Sequence, residues 1–224
     1  MPLVDLSHPI TEGMVTYPGL PAPHIATHLS REESAAHYAP GVTFHIGVVT
    51  LCTNTGTYLD VPFHRYADGH DLADLPLERV ADVPGIVLDA RGRRTVDLDD
   101  LELPDGGPTA LAGLAGLAVL VRTDHSDAWG TDAYAVDHPH LSASAGEALA
   151  AAGVACVGID SLNIDGTATG ERPVHSALLA AGVPIVEHLT GLRALPRDGF
   201  RFTAVPPRIA GAGTFTVRAF ASCP

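Results

Sequence analysis

Short apolar runs alternate with Gly- and Pro-rich breaks along this chain, and few of the runs carry a helical period. Residues 3–6 read as a strand, followed to about residue 40 by a long irregular arm rich in Pro and His. VTFHIGVVTLC at 42–52 reads as a strand, and GIVLDA at 85–90 and LAVLVRT at 117–123 read as buried strands. SASAGEALAAA at 142–152 opens on Ser, carries an early Glu and stops at Gly153, so it reads as a helix. VACVGID at 154–160 is another buried strand. PVHSALLAAG at 173–182 has Pro at its start and Gly at its end, the asymmetry of a short helix. IVEHL follows as a strand, with a helical turn near 190–195. RFTAVPPRI and TFTVRAFA close the chain as two alternating strands around a GAG turn. Many strands and few helices predict a mixed α/β domain spanning 1–224. The order is no regular βαβ alternation, which disfavours a Rossmann fold or a barrel.

Composition narrows the function. The chain has 224 residues, 46% of them apolar, enough for a sizeable core without staples. Thirteen basic residues stand against 26 acidic ones, a net charge of −13, which repels nucleic acid and anionic membrane surfaces. All the basic residues are Arg, which removes Schiff-base chemistry and a Walker-type loop. Neither G-x-G-x-x-G opening a helix nor G-x-S-x-G is present. No apolar run approaches the ~20 residues of a membrane span, and MPLVDLSHPI lacks the features of a signal peptide. Cys52, Cys156 and Cys223 are widely spaced, and the first two sit in strand-like runs. They read as buried reduced thiols and suggest a cytoplasmic setting.

The densest chemistry lies in NTGTYLDVPFH at 54–64. If this stretch is extended, Asn54, Tyr58, Asp60 and His64 share one face, while Leu59, Val61 and Phe63 suit a core. A straight strand would separate Asp60 from His64 by roughly 13 Å, and Gly56 and Pro62 are places to bend. An edge strand with a solvated polar face is the plain alternative. Glu187 sits among Val183, Ile185, Val186 and Leu189, where a carboxylate is costly unless paired or bound to metal. His175 lies on a helix of small apolar residues, where a satisfied core histidine is the common case. Asp160 and Asp165, at the end of a buried strand, suit either a site or turn capping.

These blocks together resemble the cyclase family of metal-dependent hydrolases, which includes kynurenine formamidase and isatin hydrolase. The resemblance covers DLSHPIT at 5–11, TYPG at 16–19, TGTYLDVPFH at 55–64, GIDSLNID at 158–165, Pro173 to Leu192, and TAVPPRIAGAGTFTVRAFA at 203–221. It implies a swivelling β/β/α fold, a homo-oligomer, most simply a dimer, and a zinc or manganese site that activates water against an amide, lactam or related bond. The family motif is H-x-G-T-H-x-D-x-P-x-H. Gly56, Thr57, Asp60, Pro62 and His64 match it, whereas Asn54 and Tyr58 replace its two metal-binding histidines. By the same resemblance Asp60, His175 and Glu187 are ligands of one divalent ion, and His64 is the proton carrier.

The expected protein is thus an arylformamidase-like hydrolase acting on a small molecule. Tyr58 would donate a hydrogen bond to substrate or oxyanion, and Asn54 would orient it. Tyr17 and Phe63 would wall the pocket, and Arg172 would hold a substrate carboxylate. Loss of two ligands leaves open a metal-independent cyclase, dehydratase or isomerase that uses Asp60 and His64 directly. A catalytically dead binding protein is the third class, but retention of Asp60, His64, His175 and Glu187 together argues against it, since a dead site has no reason to keep buried charges.

Overall fold

The computed structural model describes residues 1–101, 103 and 111–224. In chain order the strands are β1 (Leu3–Asp5), β2 (His24–Leu29), β3 (Ile46–Thr50), β4 (Tyr58–Asp60), β5 (Val83–Asp89), β6 (Thr95–Val96), β7 (Ala118–Arg122), β8 (His140–Leu141), β9 (Cys156–Ile159), β10 (Ile185–Glu187), β11 (Phe200–Thr203), β12 (Thr214–Thr216) and β13 (Phe220–Ser222). The α-helices are α1 (Arg31–Ser34), α2 (Ala143–Ala151) and α3 (Pro173–Ala180).

The apolar runs with no polar alternation form the middle of the main sheet. β5, β7, β9 and β10 are parallel neighbours, buried on both faces, which is why their sequences read as continuous rather than alternating apolar. Two of their connections cross over through α2 and α3. On both sides the sheet continues antiparallel, in the order β1-β13-β11-β5-β7-β9-β10-β4-β12. Val119, Val121, Val157, Ile159 and Ile185 pack towards α2 and α3. Ala118, Leu120, Cys156 and Val186 point to a second apolar layer on the other face. Ser142 caps α2 by accepting from the Ala145 N–H, as its place before the apolar run predicts.

Several expected elements are shorter than their apolar runs. RFTAVPPRI pairs only as far as Thr203, because two prolines follow that cannot donate to a ladder. TFTVRAFA breaks into β12 and β13, which belong near opposite ends of the sheet order, so the sheet curls to let three residues connect them. The strand expected over 42–52 is confined to β3, which leaves Cys52 half-buried, while Cys156 and Cys223 are buried. The first 40 residues are also less irregular than expected. They contain β2, which forms a separate hairpin with β3, and the short α1, closed by a Ser30–Glu33 capping box.

The site faces the helix side, at the C-terminal ends of β9 and β10. Open α/β sheets bind ligands at that end. β4 lies antiparallel to β10 with Tyr58 opposite Glu187 and Asp60 opposite Ile185, so Tyr58, Asp60 and Glu187 share a face. Among the described residues no helix is long and apolar enough to cross a membrane.

Candidate functional site

Residues 54–64 are extended only over β4. A 3-10 turn, Pro62–His64, then reverses the chain. Pro62 supplies the fixed φ of its first residue. Gly213 permits the close approach of this turn, because a Cβ there would lie 2.4 Å from the His64 nitrogen. The bend takes His64 back over Asp60. Ligand atoms of Asp60, His64 and His175 all fall within 4.8 Å of one another. Leu59 and Val61 are core residues as expected, but the same turn swings Phe63 out to 37% exposure beside His64, so it is no part of the core.

His175 Nε2 stands 3.6 Å from Asp60 Oδ2 and 3.6 Å from Glu187 Oε1. Its other nitrogen, Nδ1, donates to Asp165 Oδ2 at 2.7 Å. Asp165 also accepts the Val174 and His175 N–H groups, so one carboxylate both caps α3 and fixes the His175 ring. Helix α3 lacks a capping side chain at Arg172, the residue before its proline, and Asp165 takes that role from the middle of the preceding loop. Burial alone would lower the His175 pKa. The Asp165 and Asp60 contacts and the Glu187 charge outweigh it and raise the pKa to about 10. Burial also opposes the charge on Asp165, but the ring and the two amides hold its pKa below the usual value.

Glu187 is fully buried, and both its oxygens are held. Oε1 accepts the Ile164 N–H at 2.6 Å, and Oε2 accepts the Tyr58 hydroxyl at 2.5 Å. Burial, with the nearby Asp60 charge, pushes its carboxyl pKa up. Tyr58 is itself buried, and burial together with the Glu187 and Asp60 charges lifts its pKa well above 10, so it is a fixed donor. Its expected role as a donor to substrate therefore needs correction, because its proton is committed to Glu187. Asn54 hydrogen-bonds Tyr58, and its Oδ1 accepts from Thr214 Oγ1 at 3.1 Å.

Asp60 differs from these groups. Its side chain is completely buried, yet neither oxygen has a hydrogen-bond donor. An unsatisfied carboxylate in the interior is costly, and a cation is the partner that removes the cost. One imidazole nitrogen and two carboxylates converging around such a gap fit a divalent ion. The ligand atoms that gather there are those of Asp60, His64 and His175, and Glu187 Oε1 lies 3.6 Å from the same His175 nitrogen.

The remaining expected residues are placed as follows. Thr16 Oγ1 accepts the Gly56 N–H at 2.8 Å, so the 16–17 segment lies against the motif, but among the described contacts the Tyr17 ring does not reach the cluster. Arg172 turns Nη1 to the carbonyls of Thr169 and Glu171, which corrects its reading as a carboxylate clamp into a brace for its own loop. Asp160 accepts the Thr123 N–H and hydroxyl and the Asp124 N–H, and therefore ties β9 to the end of β7. His188 was not singled out from sequence. It is buried at φ 57°, its Nδ1 is 2.8 Å from the Tyr134 hydroxyl, and burial drives its pKa down to about 3. Its left-handed backbone turns the chain immediately after Glu187.

Comparison with known proteins adds to this geometry. The sequence model of the putative cyclase family matches residues 4–166. A kynurenine formamidase of Salinibacter ruber is 28% identical over 229 residues, covering 98% of this chain and 96% of that protein. One from Bacillus cereus is 27% identical, covering 96% and 95%. Among solved structures, a potential metal-dependent hydrolase with cyclase activity superposes with a TM-score of 0.77 at 24% identity, covering 98% of this chain and 96% of its own. Isatin hydrolase A from Ralstonia solanacearum gives 0.78 at 22%, covering 100% and 92%. These two show the shared fold, the swivelling β/β/α arrangement that the family resemblance implies.

Proposed function

Because the chain belongs to the putative cyclase family, we propose that it is a hydrolase of a carbon–nitrogen acyl bond (an amide, formamide or lactam) with one divalent ion held by Asp60, His175 and Glu187. The observation that carries the reading is the buried, donorless Asp60 carboxylate facing His175 Nε2, with Glu187 on the other side of that nitrogen. The full-length similarity to kynurenine formamidases supports the bond type. One nitrogen and two oxygen donors suit zinc, and the carboxylate share also suits manganese.

When bound, the ion supplies Lewis acidity towards the substrate carbonyl and towards water. The chain's own residues supply the rest. His64, exposed at the mouth, takes the proton of the attacking water and returns it to the leaving nitrogen. Asp165 holds His175 in the tautomer that keeps Nε2 free for the ion. Tyr58 and the Ile164 amide hold the Glu187 carboxylate against rotation. Phe63, beside His64, forms an apolar wall for the substrate. The protein works as a homo-oligomer in the cytoplasm.

The test is turnover of N-formyl anilides and aryl lactams by untagged protein before chelation, after it, and after zinc or manganese is returned. Loss and recovery are expected. Full activity after complete stripping would favour direct acid–base catalysis by Asp60 and His64, and no turnover of any acyl substrate would favour a binding protein.

A further inference from the structure

The 3-10 turn that folds His64 over Asp60 is followed at once by Arg65, whose N–H closes the turn on the Pro62 carbonyl. The Arg65 side chain is exposed, yet it is held on two sides. Its Nε donates to Ser176 Oγ at 3.3 Å, and its guanidinium carbon stands 5.3 Å from the centre of the Tyr66 ring. Both supports are themselves fixed. The Ser176 hydroxyl donates to the Arg172 carbonyl at 2.7 Å, and the Tyr66 hydroxyl donates to the Ser176 carbonyl at 2.9 Å. Ser176 follows His175 on α3, and the His175 and His64 rings lie 6.2 Å apart. The guanidinium is therefore fastened to the flank of the two histidines of the site.

Its charge is not spent on a neighbour. Among the described residues, seven of the 13 arginines pair with an aspartate, as a chain of net charge −13 makes easy. Arg65 pairs with no carboxylate there, and Nε is its only hydrogen-bonded nitrogen among the described contacts. Nη1 and Nη2 are left as a two-pronged donor edge. Holding a long cation in one place costs side-chain entropy, which the Ser176 and Tyr66 contacts offset. Two parallel N–H donors on a preset fork match the two oxygens of a planar carboxylate.

We infer that Arg65 is a specificity residue, which binds a carboxylate carried on the amine portion of the substrate. The inference rests on the hydrolase reading above and narrows its substrates to N-acyl amines that bear a carboxylate. The amine portion is selected by position. His64 returns its proton to the leaving nitrogen, and Arg65 is the next residue on the same turn. The acidic surface otherwise repels an anionic substrate, so an unpaired cation beside His64 is the feature that admits one.

The experiment compares kcat/KM for 2-, 3- and 4-formamidobenzoate with that for formanilide, which lacks only the carboxylate. It uses untagged parent, Arg65→Gln and Arg65→Lys supplied with zinc, with metal content and circular dichroism read on each. The parent is expected to prefer at least one formamidobenzoate. Arg65→Gln loses that preference by on the order of tenfold, chiefly through KM, and Arg65→Lys, with the charge but not the fork, recovers part of it. A residue that only braced the turn would slow every substrate by one factor, and such an unchanged ratio would overturn the inference. Calorimetric titration of the same proteins with the matching aminobenzoate needs no turnover. Weaker binding to Arg65→Gln than to the parent is expected, and equal binding would overturn the inference. If no substrate is turned over but binding still depends on Arg65, the hydrolase reading falls and the carboxylate site stands.

Discussion

Tyr58→Phe isolates the role of the residue standing where the family motif has a ligand. Phenylalanine keeps the ring and leaves no cavity, so the perturbation is one hydroxyl. That hydroxyl donates to Glu187 Oε2 at 2.5 Å, and the next donor to the same oxygen, Asn163 Nδ2, is 3.5 Å away. A hydrogen bond to a buried charged group contributes about 1.5–3 kcal/mol, and deleting one side leaves the carboxylate oxygen desolvated and nearly alone. For a chain of this size that lowers Tm by about 2–4 °C for each kcal/mol. Glu187 Oε1, which faces His175, keeps its Ile164 amide, so the metal set survives. The expected protein therefore retains its ion, melts several degrees lower and turns over on the order of tenfold more slowly. Calorimetry, elemental analysis and steady-state kinetics on the same preparation check the three parts. An unchanged Tm and rate would mean that Tyr58 only fills space, and loss of metal would mean that the phenol is a ligand.

Three further outcomes follow from the geometry. His64→Ala should lower turnover by roughly 10²–10⁴-fold with folding and metal content unchanged, the usual worth of a positioned proton carrier, and equal rates would reject that role. Replacing Asn54 and Tyr58 together by His puts two imidazoles where hydrogen-bonded neighbours now sit, beside Asp60. The double variant should bind a second ion, read by titration against a chromophoric chelator, and a count still at one would show that the positions do not converge. In metal-free protein, His175 holds a proton with a pKa of about 10 against 6.5 when unfolded. Its contribution to stability is thus complete below about pH 6.5 and is lost as pH rises towards 10. Melting temperature under chelator should fall across that window, and a rise would contradict the assigned environment.

Much of the fold was legible in sequence, because the central parallel strands are buried on both faces and both crossover helices carry start and stop signals. The hairpin in the first 40 residues was hidden, since β2 alternates too weakly and draws its order from pairing with β3. At the site, the apolar neighbours of Glu187 marked it as an anomalous acid, and that reading agrees with its complete burial. The 3-10 turn that brings His64 back to Asp60 was foreseeable only as a possible bend at Pro62. Asp165 was ambiguous because its two duties, capping α3 and fixing His175, depend on a helix that begins eight residues further on. The committed proton of Tyr58 was invisible, since it follows from the β4–β10 register and not from local spacing.

The account turns on one divalent ion at Asp60, His175 and Glu187. Its most direct test is elemental analysis of untagged protein beside Asp60→Ala, with each variant's fold checked by circular dichroism. One zinc or manganese per chain in the parent and none in the folded variant is the predicted result. A parent that binds no ion when either metal is supplied, or that holds two per chain, would contradict it.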